Sequence, residues 1–156
     1  MRVLLYGSEL SAATAAAALA WVGHQVQWLP HSDAPWSALS QVDWLRSEPQ
    51  LMAHLEQGLA EGTLQVIEEL NDAAIPEVIW LALSPAQRSS ASALVEDPLL
   101  ADQQGIVLIN NSTFPVGETE RLHTLMGAQH TSVALPDTLE EGRAWDSFTR
   151  PTRRLL

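Results

Sequence analysis

Short apolar segments alternate along the chain with stretches whose apolar residues recur at helical spacing. Several apolar segments are continuous runs of valine, isoleucine and leucine, which is typical of strands covered by helices on both faces. Strands are predicted at 2–6, 25–29, 63–67, 78–83, 106–110 and 132–135, with a further candidate at 153–156. Helices are predicted at 11–22, 48–60, 89–101, 118–126 and 138–148, with a short turn at 71–74. This order predicts an α/β fold with a doubly wound, mostly parallel sheet and helices on both faces.

The length and composition fit one folded domain. The chain has 156 residues, 46% of them hydrophobic and 17% charged, so residues 1–156 are expected to form a single unit with a sizeable core. The longest apolar stretch, 15–22, is too short to span a bilayer, and the amino terminus lacks a signal-peptide pattern, so a cytoplasmic location is expected. The net charge of −11 argues against nucleic acid or an anionic membrane as a partner.

The residue types that are missing exclude several kinds of chemistry. The chain has no cysteine and no lysine, and all eight basic residues are arginine. A thiolate metal site, a cysteine nucleophile, a Schiff base and a lysine-assisted phosphate site are therefore excluded within it. The five histidines show no spacing typical of metal ligands, so no metal site is predicted.

The first strand, turn and helix carry a damaged form of the glycine-rich fingerprint with which Rossmann domains bind a dinucleotide. Gly7 stands at the first glycine position, and Ala12 is an accepted third member that lets the helix pack closely on the strand. The middle glycine is replaced by Glu9. If the Glu9 carboxylate lay within ~4 Å of a phosphate charge, at an effective dielectric of ~20, their repulsion would cost about 4 kcal/mol of binding free energy. The alternative interpretation is a turn that only packs the helix on the strand.

The acidic residue that binds the adenosine ribose at the end of the second strand is also missing. Pro30 stands in its place, and Ser32 or Asp33 in the following loop could substitute for it. No nearby arginine indicates a switch to NADP. Trp28 ends the second strand near the expected adenine position.

The segment 105–122 predicts a ligand site at the carboxyl end of a strand. An apolar strand runs into Ser112 and Thr113, then Pro115 and Gly117, and then a charged helical pattern. Residues 111–119, Asn-Ser-Thr-Phe-Pro-Val-Gly-Glu-Thr, resemble Lys-Ser-Thr-Val-Pro-Val-Gly-Thr-Thr of the nucleotide-sugar dehydrogenases, the family of UDP-glucose and GDP-mannose dehydrogenases. Segments 48–51, 62–66, 77–85 and 135–151 resemble further motifs of this family in the same order, so the resemblance covers essentially the whole chain.

This resemblance implies that the chain is the N-terminal, NAD-binding domain of such a dehydrogenase. The family oxidises a sugar C6 alcohol to a carboxylate with two NAD⁺, through intermediates bound to a cysteine, and that cysteine and a helping lysine lie beyond the N-terminal domain. Because the chain has neither residue type, it is not expected to be catalytic on its own. The implied partners are the nucleotide cofactor and either a missing catalytic domain or a second copy. The alternative is a degenerate, non-catalytic module that binds or assembles with a partner, as Glu9, Pro30 and Asn111 in place of the family lysine indicate.

The resemblance also implies which residues form the site. Thr113 matches a threonine near the catalytic water, while Asp137 and Glu141 match two acidic positions, the second of which is associated with activating that water. The other interpretation makes Asp137 a helix N-cap and Glu141 a solvated helix residue. The cofactor-binding residues are expected to be Gly7, Ser8, Glu9, Leu10, Ala12, Ser84, Pro85, Ser112 and Thr113.

Overall fold

The computed structural model describes residues 1–31 and 43–151, apart from the side chain of Trp44, and contains the predicted parallel sheet. Its strands are β1 Arg2–Tyr6, β2 Gln25–Leu29, β3 Leu64–Val66, β4 Val78–Leu81, β5 Val107–Asn110 and β6 Thr131–Ala134. They lie side by side in the order β3-β2-β1-β4-β5-β6, and every neighbouring pair is parallel. The strand order reverses between β1 and β4, so their carboxyl ends form the crevice in which doubly wound folds bind ligands. The predicted doubly wound α/β fold is confirmed.

Helices cover both faces of this sheet. They are α1 Leu10–Trp21, α2 Asp43–Arg46, α3 Pro49–Glu61, α4 Arg88–Val95, α5 Pro98–Ala101, α6 Glu118–Met126 and α7 Ala144–Thr149, with 3-10 turns at Leu70–Asp72 and Pro85–Gln87. Helices α1, α3 and α7 pack together on one face, and α4 and α6 pack together on the other. Successive residues of β1 point to opposite faces, so Val3 and Leu5 join one core whereas Leu4 joins the other. Burial on both faces explains why the central strands β1 and β4 carry continuous apolar runs.

Helix α1 owes its position to small buried residues. It lies between the sheet, α3 and α7, and its buried residues are seven alanines and one threonine. Where α3 approaches, a Cβ on Gly58 would lie 3.1 Å from Leu64 Cβ and 3.4 Å from Ala20 Cβ. Trp145 of α7 stacks on His54 of α3, with ring centroids 3.7 Å apart. This close packing holds α1 against the sheet, α3 and α7.

Two predicted helices were wrong in extent, because local polar and glycine residues redirect the chain. The predicted helix 89–101 is divided into α4 and α5, since Asp97 has an extended backbone, accepts from Leu99 N at 2.9 Å and precedes Pro98. The predicted helix 138–148 begins only at Ala144, after Gly142 at a φ of +80°. Residues 135–143 form an irregular segment between β6 and α7, which we call the strap.

The other boundaries agree with prediction to within one or two residues, and the turn predicted at 71–74 is the 3-10 turn Leu70–Asp72. The candidate strand 153–156 lies outside the described residues, as do Ser32 and Asp33. Among the described helices, none combines the length and apolar character that crossing a membrane requires.

Candidate functional site

The turn after β1 is fixed at Gly7, in the middle of the sheet. Gly7 has a φ of +152°, and a Cβ on it would lie 2.1 Å from the carbonyl oxygen of Ala82, just after β4. Its N–H donates to the carbonyl oxygen of Leu29 at 3.2 Å, and its own carbonyl oxygen accepts from Trp28 Nε1 at 2.7 Å. Gly7 therefore holds the turn between the carboxyl ends of β2 and β4, where a side chain has no room.

Trp28 supports this turn from below. Its side chain is fully buried, and its indole N–H finds the acceptor that burial requires in the Gly7 carbonyl. A fully buried side chain presents no surface to a ligand. Trp28 lies near the end of β2, as predicted, and its side chain belongs to the core beneath the crevice.

Ala12 and Glu9 lie on opposite sides of the turn. Ala12 is fully buried, and its Cβ is 3.1 Å from the place that a Cβ on Gly7 would take. Glu9 is the N-cap of α1, and its carbonyl oxygen accepts from Ala13 N at 3.1 Å, while its side chain is exposed and caps nothing. The first N–H groups of α1, which no helical carbonyl can satisfy, suit an anion such as a phosphate. The exposed carboxylate of Glu9 lies beside these N–H groups.

Ser8 is the residue of the turn whose hydrogen bonding is incomplete. Its hydroxyl oxygen is buried and has no hydrogen-bond partner among the described residues. A buried polar group that makes no hydrogen bond costs about 1–3 kcal/mol. A polar ligand group or a water molecule at the turn would remove that cost.

The segments that follow β4 and β5 are tied to each other. The Ser112 hydroxyl accepts from Leu83 N at 3.0 Å, and Thr113 N donates to the Leu83 carbonyl oxygen at 3.3 Å. Ser84 opens the 3-10 turn through a capping box, in which Ser84 N donates to Gln87 Oε1 at 2.9 Å. The side chain of Thr113 is exposed. The carboxyl edge of β4 and β5 thus gathers Ser84, Pro85, Ser112 and Thr113.

Asn111, which stands at the position of the family lysine, is a buried structural residue. It is 4% exposed, and its Nδ2 donates to the carbonyl oxygen of Leu135 at 3.0 Å. Its N–H donates to the Leu81 carbonyl oxygen at 2.9 Å. Asn111 therefore joins the end of β5 to the start of the strap with neutral hydrogen bonds, where a buried ammonium would need a charged partner.

Asp137 ties the strap to the first turn of α1. One carboxylate oxygen accepts from Leu139 N at 3.0 Å, and the other accepts a hydrogen bond from the Ser11 hydroxyl. Asp137 caps no helix, so the interpretation of this residue as a helix N-cap is wrong. The structure instead brings it to the turn that contains Gly7 and Ala12.

A second carboxylate holds the other end of the strap. Glu48 is only 3% exposed and accepts hydrogen bonds from Gly142 N and from Ala144 N, the latter at 3.1 Å. Sequence reasoning matched Glu48 only as part of a family motif, because no local pattern links it to residues so distant in sequence. Glu141 lies between the two anchors, exposed and without a hydrogen-bond partner among the described residues.

The charged groups at the start of α6 are engaged with one another. The buried carboxylate of Glu118 pairs with Arg88 at 2.5 Å and with Arg121 at 2.9 Å. Burial raises the pKa of this carboxyl, but the hydrogen bonds and charges of the two arginines outweigh burial and hold the pKa below its usual range. These pairs join α4 to α6. Within the described ranges, no three acidic, histidine or cysteine side chains come together as metal ligands do.

A polar cluster that sequence reasoning missed lies where β2 ends. His31 Nε2 is 2.7 Å from Ser90 Oγ, and His31 Nδ1 is 2.8 Å from Gln87 Nε2. The rings of His31 and Tyr6 are 5.5 Å apart between centroids. The Ser-x-x-Gln spacing of Ser84 and Gln87 is the one local signal in the sequence, and it does not indicate the link to His31.

Comparison with known proteins relates the whole chain to one class of enzyme. UDP-glucose 6-dehydrogenase of Rhizobium meliloti (strain 1021) is 29% identical over 170 aligned positions, which cover 100% of this chain and 39% of the relative. UDP-glucose 6-dehydrogenase of Pseudomonas aeruginosa is 27% identical, over 100% of this chain and 38% of the relative. The predicted resemblance to the N-terminal domain of nucleotide-sugar dehydrogenases is confirmed. The chain spans about two fifths of the length of these relatives.

Solved structures of nucleotide-sugar dehydrogenases share the fold. GDP-mannose dehydrogenase of Pseudomonas aeruginosa, solved as a ternary complex, superposes with a TM-score of 0.78 at 18% identity over 97% of this chain and 39% of its own. UDP-glucose dehydrogenase of Pyrobaculum islandicum superposes with a TM-score of 0.75 at 21% identity over 96% of this chain and 39% of its own. No family model matches the chain.

Proposed function

We propose that this chain is the NAD-binding, Rossmann-type domain of a nucleotide-sugar 6-dehydrogenase. The observation that carries the proposal is the match of the whole chain to part of two UDP-glucose 6-dehydrogenases. The substrate of the complete enzyme would be UDP-glucose or a similar sugar nucleotide such as GDP-mannose, which is oxidised to the uronate. When bound, NAD⁺ supplies the hydride acceptor for such an oxidation.

The geometry of the crevice supports a dinucleotide as its ligand. The turn of Gly7, Ser8, Glu9, Leu10 and Ala12 presents the first N–H groups of α1 at the switch point of the sheet, where a diphosphate gains from the helix dipole. The Ser8 hydroxyl, buried and without a partner among the described residues, fits a polar ligand group. Ser84, Pro85, Ser112 and Thr113 would border the rest of the cofactor.

Three residues of this chain would contribute to the reaction without completing it. Thr113 and Glu141 both expose their side chains, and we propose that they hold a water molecule from which Glu141 takes a proton as general base. Asp137 would position the strap through its bond to Ser11. The nucleophile and its helper must come from elsewhere, because the chain contains no cysteine and no lysine.

A degenerate binding or assembly module is the second candidate. Glu9 favours it, because its exposed carboxylate stands beside the N–H groups that would bind the diphosphate. Pro30 favours it too, since its side chain has no carboxylate to accept hydrogen bonds from the ribose hydroxyls. A partner domain or a second copy, and the cytoplasmic location, are predictions under either candidate.

Titration with NAD⁺ and NADH, followed by tryptophan emission and melting temperature, separates the two candidates. Saturable binding below about one millimolar, or about −4 kcal/mol, supports the NAD-binding domain. If neither signal responds to the cofactor, the result favours the degenerate module. Trp28 beneath the turn makes emission a suitable signal.

The Glu9→Gly variant locates the obstacle if binding is weak. It should tighten NAD⁺ binding by about tenfold, because an exposed charge is partly screened by water and repels less than a buried one. Glu9→Gln separates charge from bulk, and Glu96→Gln on the exposed end of α4 controls for the change in net charge. Equal affinities for the wild type and Glu9→Gly would exclude Glu9 as the cause.

A further inference from the structure

The polar cluster at the end of β2 spans the carboxyl end of β1. Strands β2 and β4 lie on either side of β1. His31 follows β2 by two residues, whereas Gln87 and Ser90 follow β4. The hydrogen bonds from His31 to these residues therefore connect the two sides of the central strand. We call His31, Gln87 and Ser90 the clasp.

The directions of the hydrogen bonds in the clasp follow from the capping box. Ser84 N can only donate, so the Gln87 oxygen at 2.9 Å is its acceptor and the Gln87 amide nitrogen faces His31. That nitrogen donates, so His31 Nδ1 must accept and is unprotonated. The proton of the neutral ring then lies on Nε2, which donates to Ser90 Oγ at 2.7 Å. All three side chains of the clasp therefore have hydrogen-bond partners within it, and these bonds fix the tautomer of His31.

Tyr6 backs the clasp from β1. Its ring lies against the His31 ring at 5.5 Å between centroids and packs against the core on the α4 face. Burial raises the pKa of the Tyr6 hydroxyl, and a hydrogen bond with Ser90 opposes this effect. His31, Gln87, Ser90 and Tyr6 are all half-buried, so the clasp is packed and not a loose surface contact.

The clasp lies where the nucleoside of a bound dinucleotide belongs. In doubly wound folds the diphosphate sits at the start of the helix after β1, and the ribose is bound at the end of β2. Here that end carries Pro30, and the next residue, His31, reaches to the far side of β1. An adenosine bound at that end of the crevice would therefore compete with the clasp for the same space.

We propose that the clasp closes the nucleoside end of the crevice, so that an adenine nucleotide binds only after His31 releases Gln87 and Ser90. This inference rests on the proposed function, because it names what limits nucleotide binding at the same site. It assigns to His31 a role in regulating affinity that differs from the repulsion attributed to Glu9.

Calorimetric titration of His31→Ala with ADP-ribose and with NAD⁺ tests the proposal. Both ligands should bind about tenfold more tightly than to the wild type, since two hydrogen bonds of ordinary net strength no longer have to be broken. Ser90→Ala removes one of the two bonds and should give a smaller gain of about threefold. Nicotinamide mononucleotide, which lacks the adenosine, should bind all three proteins equally.

Two matched variants control the test. His24→Ala removes a half-buried histidine just before β2, at the opposite edge of the sheet, and Ser89→Ala removes the exposed hydroxyl next to Ser90 on α4. Neither should change ADP-ribose binding. Melting curves verify that each variant is folded, and nitrogen NMR of the wild type should show His31 protonated at Nε2 only.

The outcomes separate this inference from the proposed function. If the wild type binds NAD⁺ and His31→Ala binds ADP-ribose equally or more weakly, His31 does not close the crevice and the clasp proposal is overturned, while the proposed function stands. A wild type that does not bind, beside a His31→Ala variant that does, supports the clasp. No NAD⁺ binding by the wild type, by His31→Ala, by Glu9→Gly or by their double variant overturns both.

Discussion

The residues that support the carboxyl edge of the sheet differ sharply from those that we propose to face a ligand there, which we call ligand-facing. The supports, Gly7, Glu48, Asn111 and Glu118, are buried, and each is engaged with identified groups. The ligand-facing residues Glu9, Thr113 and Glu141 have exposed side chains without hydrogen-bond partners among the described residues. The first group therefore determines the geometry of the edge, and the second determines which chemistry that geometry carries.

This difference explains how a chain can keep a fold while its ligand site changes. In the turn after β1, the positions with a packing role, Gly7 and Ala12, hold residues that the fold requires. The position proposed to face a ligand holds Glu9, whose side chain is exposed and makes no capping hydrogen bond. Substitution of supports should therefore change stability, whereas substitution of ligand-facing residues should change binding alone.

Gly7→Ala should produce the largest loss of stability. The added Cβ would overlap the Ala82 carbonyl oxygen at 2.1 Å, at a φ of +152°. We expect urea unfolding to show a loss of more than about 3 kcal/mol, or no folded protein. Gly105→Ala is the matched control, because its φ is +74° and no atom lies within 4 Å of the added Cβ. It should cost about 1 kcal/mol. Equal losses at the two positions would show that the approach to Ala82 is unimportant.

Glu48→Ala should cost about 3 kcal/mol, because it leaves the N–H groups of Gly142 and Ala144 without their buried acceptor. Glu48→Gln keeps one acceptor oxygen and should lose less. Hydrogen exchange at these two amides should accelerate in the alanine variant ahead of exchange in β1. Glu56→Ala, at an exposed position of α3, the helix that Glu48 precedes, should change neither measurement. Slow exchange at Gly142 and Ala144 in Glu48→Ala would show that the strap is held by other contacts.

Much of the fold could be predicted from the sequence because its signals are local. The bounds of β1 follow from a continuous apolar run and those of β2 from alternating polar and apolar residues, and both strands match prediction. The strap could not be predicted, because its path is fixed by Glu48 and Ser11, which are distant in sequence. Its polar pattern at 138–143 is typical of a helix, but Gly142 at a φ of +80° interrupts that pattern and the long-range bonds hold the irregular path.

The candidate site shows the same division. The turn from Gly7 to Ala12 could be predicted because a short motif encodes it. The clasp could not, since His31 meets Gln87 and Ser90 only after the sheet brings β2 and β4 to either side of β1. The support that the Trp28 indole gives to the Gly7 carbonyl could not be predicted either, because a place at a strand end does not reveal which group the side chain contacts.

Glu118→Gln tests a support through its pH dependence. The arginines hold the pKa of Glu118 below its usual range in the folded protein, so the pair stabilises the fold above the unfolded pKa of about 4.3 and loses this effect as pH falls through the lower, folded value. At pH 7 we expect Glu118→Gln to cost roughly 2 kcal/mol in unfolding free energy, a difference that shrinks towards acid pH. Glu120→Gln, exposed in the same helical turn, should show no such trend. A difference that grows on acidification would contradict the paired carboxylate.

Glu9→Gly should have the smallest effect on stability and still change ligand binding. Glu9 makes no capping hydrogen bond, and glycine is tolerated at an N-cap, so the unfolding free energy should stay within about 0.5 kcal/mol of the wild type. The same substitution should tighten NAD⁺ binding by about tenfold, because it removes an exposed negative charge from the start of α1. Urea unfolding and calorimetric titration of one preparation measure both quantities together. A loss of more than about 1 kcal/mol would make Glu9 a support of the turn, and the division between supporting and ligand-facing residues would then fail at the position where it matters most for function.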